Sequence, residues 1–350
     1  MQRASFRLPE PILADAFDDP PGLLLSNYRS RHDGHRLMSG DALWFPQILF
    51  SAIADLAFAC TLGALLFNAW LCRERAFEPM SSARRAFVRA SRLGTAAALV
   101  FVAGDFVSLW LQSAAMSGSS LFDAGASLWL VATATHAGIG FTVALAGGVL
   151  LALALAMATD RAPGAKRLAV AALGALIAAS GKAAVGHAAD AGAFSFAESV
   201  QTVHLLATGM WGGVVIAGAC VVLPALDTSV ARASLIRIVG RMSRVATIAV
   251  ALVMATGIFN AWRGTGGSAA ALTQSGWGQV LIVKAALVAA ALALGALIRW
   301  RELPRLQRTA SSMDAHTVIK LMREEAVLMA GVFIAASVLS HSLPGFMTGG

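Results

Sequence analysis

The sequence predicts an all-α polytopic membrane protein, a bundle of eight transmembrane helices built as two parallel four-helix repeats. Three observations predict it. Hydrophobic residues make up 57% of the chain and charged residues 13%, about half the charge of a soluble domain. Apolar runs of about 20 residues recur, long enough for a hydrocarbon core of about 30 Å, and their alanine, leucine and glycine content suits helices and not barrel strands. Basic residues, finally, crowd into alternate connections between the runs.

Residues 1–42 form a polar tail with "DDPPG" and "NYRSRHDGH". They hold no apolar stretch of signal-peptide length, and Met38, just before the first span, is an alternative start. The first span, 43–71, carries Asp55 near its middle. The second, 90–112, runs back toward Asp105, and the third, 127–158, holds His136. The fourth, 168–188, closes on Lys182 and His187. These four form a first half, 43–188. A second half, 198–342, begins with the fifth span, 198–224, where "QTVHLLATGMWGGVVIAG" (201–218) places His204 in a run otherwise free of charge. The sixth span is 243–262, and the seventh, 277–299, carries Lys284. The eighth, 324–342, ends on His341, and 343–350 is a short tail.

The two halves repeat. "RASRLGTAAALVFVAG" (89–104) matches "RMSRVATIAVALVMATG" (241–257), and "GALIAAS" (174–180) matches "GVFIAAS" (331–337). Both matches pair a span of the first half with the equivalent span of the second in the same orientation, the mark of parallel repeats.

The connections set the orientation. Those after the first, third, fifth and seventh spans hold nineteen Lys and Arg, whereas the opposite ones hold only Arg263. The positive-inside rule therefore predicts both termini outside and the basic loops in the cytoplasm. Trp44, Trp110, Trp129, Trp262 and Trp277 mark outer span ends, and Trp70 and Trp300 inner ones, as an aromatic belt requires. The net charge of +8 is thus a topogenic signal, and nucleic acid is excluded as a partner. The three cysteines suggest no disulfide framework.

With these spans, His136, His187, His204 and His341 fall in the outer third of the membrane, together with Asp105, Lys182 and Lys284, at 1.5 Å of rise per residue. Ionisable side chains within a membrane are expensive and mark functional sites, so a polar chamber open to the outside is expected. The two lysines either snorkel outward or pair, Lys284 with Asp105 being one such pair. Neutral imidazole binds copper, zinc or iron, and thioether sulfur selects copper(I). Met116 and Met347 in outer loops, and Met210 with less weight, are soft-metal candidates. Asp105 suits an acceptor for the second ring nitrogen of a ligating histidine. Gly209, Gly212, Gly213 and Gly218 beside His204 predict close helix packing. No phosphate-binding loop, HExxH, CxxC or nucleophile–base arrangement is present, so an enzyme is not expected.

Several stretches carry a family resemblance: "VHLLATGMWGG" (203–213), "RMSRVATIAVALVMATGIFNAW" (241–262), "GWGQVLIVKAAL" (276–287), "LALGALIRWREL" (292–303) and "LMREEAVLMAGVFIAASVLS" (321–340). In their order and spacing they resemble the copper resistance protein D family, CopD/PcoD. The resemblance implies a bacterial inner-membrane protein of copper homeostasis. Such a protein moves copper from periplasm to cytoplasm, often beside a separate periplasmic copper-binding protein of the CopC type. Copper would then be the ion received by His136, His187, His204 and His341. The same histidines could instead supply axial ligands to a b-type haem in an electron-transfer protein, and a third reading is a scaffold or sensor without metal.

Overall fold

The computed structural model describes the backbone of residues 21–156, 164–186, 192 and 195–343, and the side chains of these from residue 43 onward. All regular structure among them is helical. Two units are distinguished, Met1–Ala42 and Leu43–Gly350; the second is the bundle. Its helices are α1 (Pro21–Arg73, apolar from Leu43), α2 (Arg84–Ser117), α3 (Gly125–Ala134), α4 (His136–Ala156), α5 (Ala165–Ala183) and α6 (Phe196–Ala217). There follow α7 (Leu223–Leu226), α8 (Arg232–Gly264), α9 (Ala270–Gln274), α10 (Gly276–Leu297), α11 (Leu303–Thr309) and α12 (Ser312–Ser340).

Among the described residues, six helical stretches are long and apolar enough to cross a membrane: Leu43–Arg73, Arg84–Ser117, His136–Ala156, Phe196–Leu226, Arg232–Gly264 and Gly276–Thr309. The other two expected spans coincide with α5 and α12, which also carry charged residues. Lys166, Arg167 and Lys182 lie within α5, and Arg323, Glu324 and Glu325 adjoin one another in α12.

The third expected span is not one helix. Thr135 is extended (φ −112°, ψ 146°) and separates α3 from α4. Its hydroxyl accepts from the Gly138 amide at 3.0 Å and donates to the Val131 carbonyl at 2.8 Å, closing α3 and capping α4 together. The same device recurs between α9 and α10. Ser275 is extended (φ −101°, ψ 146°), accepts from the Gly278 amide at 2.9 Å and donates to the Ala271 carbonyl at 2.5 Å. A hydroxyl at the N-cap satisfies an amide that the first helical turn leaves without a partner.

Two helices pass through π turns ahead of a proline. Pro224 and Pro304 have no N–H to donate. In each case the residue before the proline bonds five residues back, Leu223 to the Gly218 carbonyl and Leu303 to the Ile298 carbonyl. The π turns (Gly218–Val222 and Ile298–Glu302) carry the chain past these prolines without breaking the helix.

Small residues set the closest crossings. A Cβ placed on Gly213 of α6 would lie 2.0 Å from the Ala59 carbonyl oxygen of α1, and one on Gly63 would lie 2.2 Å from the Gly213 oxygen. α4 and α5 meet equally closely, a Cβ on Gly147 lying 2.3 Å from the Ala178 nitrogen. With no hydrophobic drive between helices in lipid, this backbone approach is what gains dispersion contact. The buried side chains collect in two main clusters. One, around Phe67, Phe87, Trp211 and Met329, includes α6, α8 and α12; the other, around Phe101, Leu151 and Ala178, joins α1, α2, α4 and α5.

Candidate metal-handling site

Helix α6 starts on a capping box. Ser195 accepts from the Glu198 amide at 3.2 Å, the serine–glutamate spacing that marks a helix start. Six residues on, His204 is buried, 9% exposed. Its Nδ1 lies 2.9 Å from the Thr256 hydroxyl on α8. That hydroxyl donates its one proton to the Leu252 carbonyl at 2.6 Å, so it must accept from the ring. The histidine proton is thereby assigned to Nδ1, and Nε2 of the neutral ring keeps its lone pair. One turn earlier the Asn260 amide donates to Gln201 Oε1 at 2.8 Å.

Beside His204 the helices bring four charged groups into a chain. Lys284 of α10 interacts electrostatically with both His204 and Asp55. Asp55 of α1 pairs with Lys182 of α5 at 2.9 Å and accepts from the Ser337 hydroxyl of α12 at 3.4 Å. Lys182 in turn neighbours Asp105 of α2 and sits 6.0 Å from the Phe101 ring centroid. The signs alternate, so two acids and two lysines from four helices are formally neutral together. Asp105 is wholly buried, and neither of its carboxylate oxygens has a hydrogen-bond partner among the described residues. Such a carboxyl is costly to bury unless a proton or cation shares it.

Both expectations for the lysines are corrected in part. Lys182 does not snorkel: it is 13% exposed and turned inward to Asp55. Lys284 interacts electrostatically with Asp55 and His204, and Asp105 belongs instead with Lys182 and Asp55.

The four histidines separate. His136 is the first residue of α4, and the break at Thr135 lifts it to the first turn of α6, where its Nε2 lies 2.9 Å from Glu198 Oε1. It is 42% exposed, not nine residues down a continuous span. His341 ends α12, with Nδ1 donating to the Ser337 carbonyl at 2.8 Å, and its own carbonyl accepts from Trp44 Nε1 at 3.1 Å. His187 and Met347 lie outside the described residues. Among those described, no group of three or more His, Cys, Asp or Glu side chains is arranged to hold a metal. Met116 is half exposed, while Met210 is partly buried and packs against the apolar cluster of α1, α2, α4 and α5.

Sequence reasoning missed Thr256, Glu198 as the partner of His136, and Glu325. Buried Glu325 accepts from Trp211 Nε1 at 3.4 Å. Trp211 lies two turns from His204 on the same helix face. Only for Glu198 was there a signal, the serine three residues before it.

No curated protein and no solved structure matches the chain. Two family matches do. Residues 40–196 match the N-terminal domain of copper resistance protein D-like proteins, and residues 236–339 match copper resistance protein D itself. The two follow one another along the bundle, the first over α1 to α5 and the second over α8 to α12, and the chain belongs to the copper resistance protein D family.

Proposed function

We propose that the chain is a copper permease of the bacterial inner membrane, without enzymatic activity, that passes copper from periplasm to cytoplasm through the polar layer described above. The observation that carries this reading is the buried His204. Its orientation by Thr256 presents a nitrogen lone pair, and it stands at the head of a neutral chain that ends on the orphaned carboxyl of Asp105. A permeating cation meets a ligand that binds soft or borderline metals and carboxylates whose charge is already balanced, so it is held without being trapped.

His341, and His187 with it, would receive copper at the outer face, and His136 would deliver it past Glu198 to His204. Toward the cytoplasm, Cys60 and Cys220 are electrostatic neighbours and offer thiols for the soft monovalent ion. A separate periplasmic copper-binding protein of the CopC type would supply the metal. The eight-span plan takes α5 and α12 as the fourth and eighth crossings. The parallel repeat of 43–188 and 198–342 is supported by the matching hydroxyl breaks at Thr135 and Ser275, each at the head of the third crossing of its half.

The test is metal analysis and absorbance of the purified protein, beside a His136→Ala/His204→Ala variant, followed by copper uptake into proteoliposomes. Copper bound by the parent, lost by the variant, and entering parent vesicles only, is the expected result. A Soret band lost in the variant would replace copper with haem. Copper binding unchanged in the variant would remove His204 from the path.

A further inference from the structure

Two crevices meet at the end of the bundle that bears the basic loops. One, of about 510 Å³, lies between α8 and the α10–α11 junction and is lined by Arg237, Arg241, Arg244 and Arg299. The other, of about 540 Å³, runs up between α8 and α10 with α6 behind it, and its walls are Val214, Val250, Ala291 and Leu292. They share Ser243 and Arg299, which are hydrogen-bonded to each other, so the two lie side by side against these residues. The size of the second is that of a small-ligand site, roughly 300–1,000 Å³. Its inner end is closed by Trp211, whose ring N–H is given to Glu325, so a ligand reaching that far meets hydrocarbon walls and an already engaged polar pair.

The flanking helices are those with least protein around them: only 11% of the apolar stretch of α8, and of that continuing α10, is buried. The slot therefore faces the bilayer. Trp300 lines it and is 76% exposed, and a tryptophan so placed marks the headgroup level. The basic crevice sits at that level. Its charge is not balanced by the protein. Arg237 and Arg241 share Glu74, Arg299 donates to the neutral oxygens of Ser243 and Thr247, and exposed Arg244 has no ion-pair partner among the described residues. Four guanidiniums face one carboxylate.

We propose that the two adjoining crevices form a binding site for one anionic phospholipid, with its phosphate among Arg244, Arg299 and their neighbours and an acyl chain in the slot between α8 and α10. Guanidinium is the cation suited to phosphate because its planar donors reach two oxygens at once. Basic pockets between membrane helices hold anionic headgroups in the same way. The proposal does not depend on what the polar layer transports.

Native mass spectrometry of the purified full chain, titrated with phosphatidylglycerol or phosphatidylcholine in mixed micelles, tests it. One phosphatidylglycerol is expected to be retained, favoured by about tenfold over phosphatidylcholine. Arg244→Gln should lower that preference severalfold, and Ala246→Trp, which fills the slot, should abolish retention of both lipids. Neither variant should move the unfolding midpoint measured in lipid-free detergent. Equal retention of the two lipids overturns the proposal. So does a preference that survives Ala246→Trp, or retention of glycerol phosphate equal to that of phosphatidylglycerol, since either reduces the site to a charged surface.

Discussion

At the scale of single residues, the polar groups differ in how much each depends on its partner. Asp55 and Lys182 are both mostly buried and pair at 2.9 Å. Removing one member leaves an uncompensated charge among helices, which costs about 3–5 kcal/mol, whereas replacing both by apolar groups of similar volume is often neutral. Asp55→Asn should therefore lower the unfolding midpoint strongly, Lys182→Met likewise, and the double variant should recover part of the loss, since Lys284 and Asp105 lose their opposite charges in it. Additive losses in the cycle would show that the pair is not coupled. Glu74, just past the end of α1, is a second case. Burial pushes its carboxyl up, but the Arg237 and Arg241 guanidiniums outweigh that and hold it below the usual carboxylate range. A carboxyl with a depressed folded-state value contributes stability above its unfolded value near 4.3, and the contribution is lost as pH falls through the folded one. Glu74→Gln should thus destabilise at pH 7 by about 1–3 kcal/mol, the range for charge-assisted hydrogen bonds. The gap between variant and parent should close toward pH 3 in detergent-solubilised thermal unfolding. A gap independent of pH would mean that shape, not charge, makes the contact.

At the scale of elements, the same chemical change should act with opposite sign on two helices. Gly213 of α6 has the Ala59 backbone oxygen 2.0 Å from where a methyl group would stand, and backbone cannot yield as a side-chain tip can. Gly213→Ala should cost about 1–3 kcal/mol by overpacking. Gly240 of α8 has nothing within 4 Å, so Gly240→Ala should gain about 0.5–1 kcal/mol from the helix preference alone. Unfolding midpoints of the two variants, measured side by side, check this; a shift of one sign in both would remove the close α1–α6 crossing as the cause. The glycines beside His204 were legible as a packing surface, because small residues in an apolar run have little other purpose. The breaks at Thr135 and Ser275 were not, because hydropathy is insensitive to one hydroxyl. The available sign was a Thr or Ser three residues ahead of a glycine inside an apolar run, a spacing that becomes meaningful once both are seen to cap a helix.

At the scale of the whole molecule, composition and apolar runs made the helical bundle readable, since lipid allows few alternatives to a helix. The partners within the polar layer were not readable. Asp55 and Lys182 belong to α1 and α5, and nothing in either local sequence names the other; only the packing of α1 with the first half brings them together. The family was legible from the order of motifs in the second part of the chain, most of which fall within the match over 236–339; the match over 40–196 had no such motif to announce it. What ties these levels together is orientation, because the proposed path needs the histidine end to face the periplasm and the arginine end the cytoplasm. In a variant lacking the three native cysteines, single cysteines at Ser81, between α1 and α2, and at Ser119, after α2, should report it. The two positions lie in the connections at opposite ends of α2. A membrane-impermeant maleimide applied to spheroplasts should label Ser119→Cys and leave Ser81→Cys unlabelled until the membrane is permeabilised. The reverse pattern would place the arginine crevice on the periplasmic side. Copper entering by the histidines would then come from the cytoplasm, and the same polar layer would serve export.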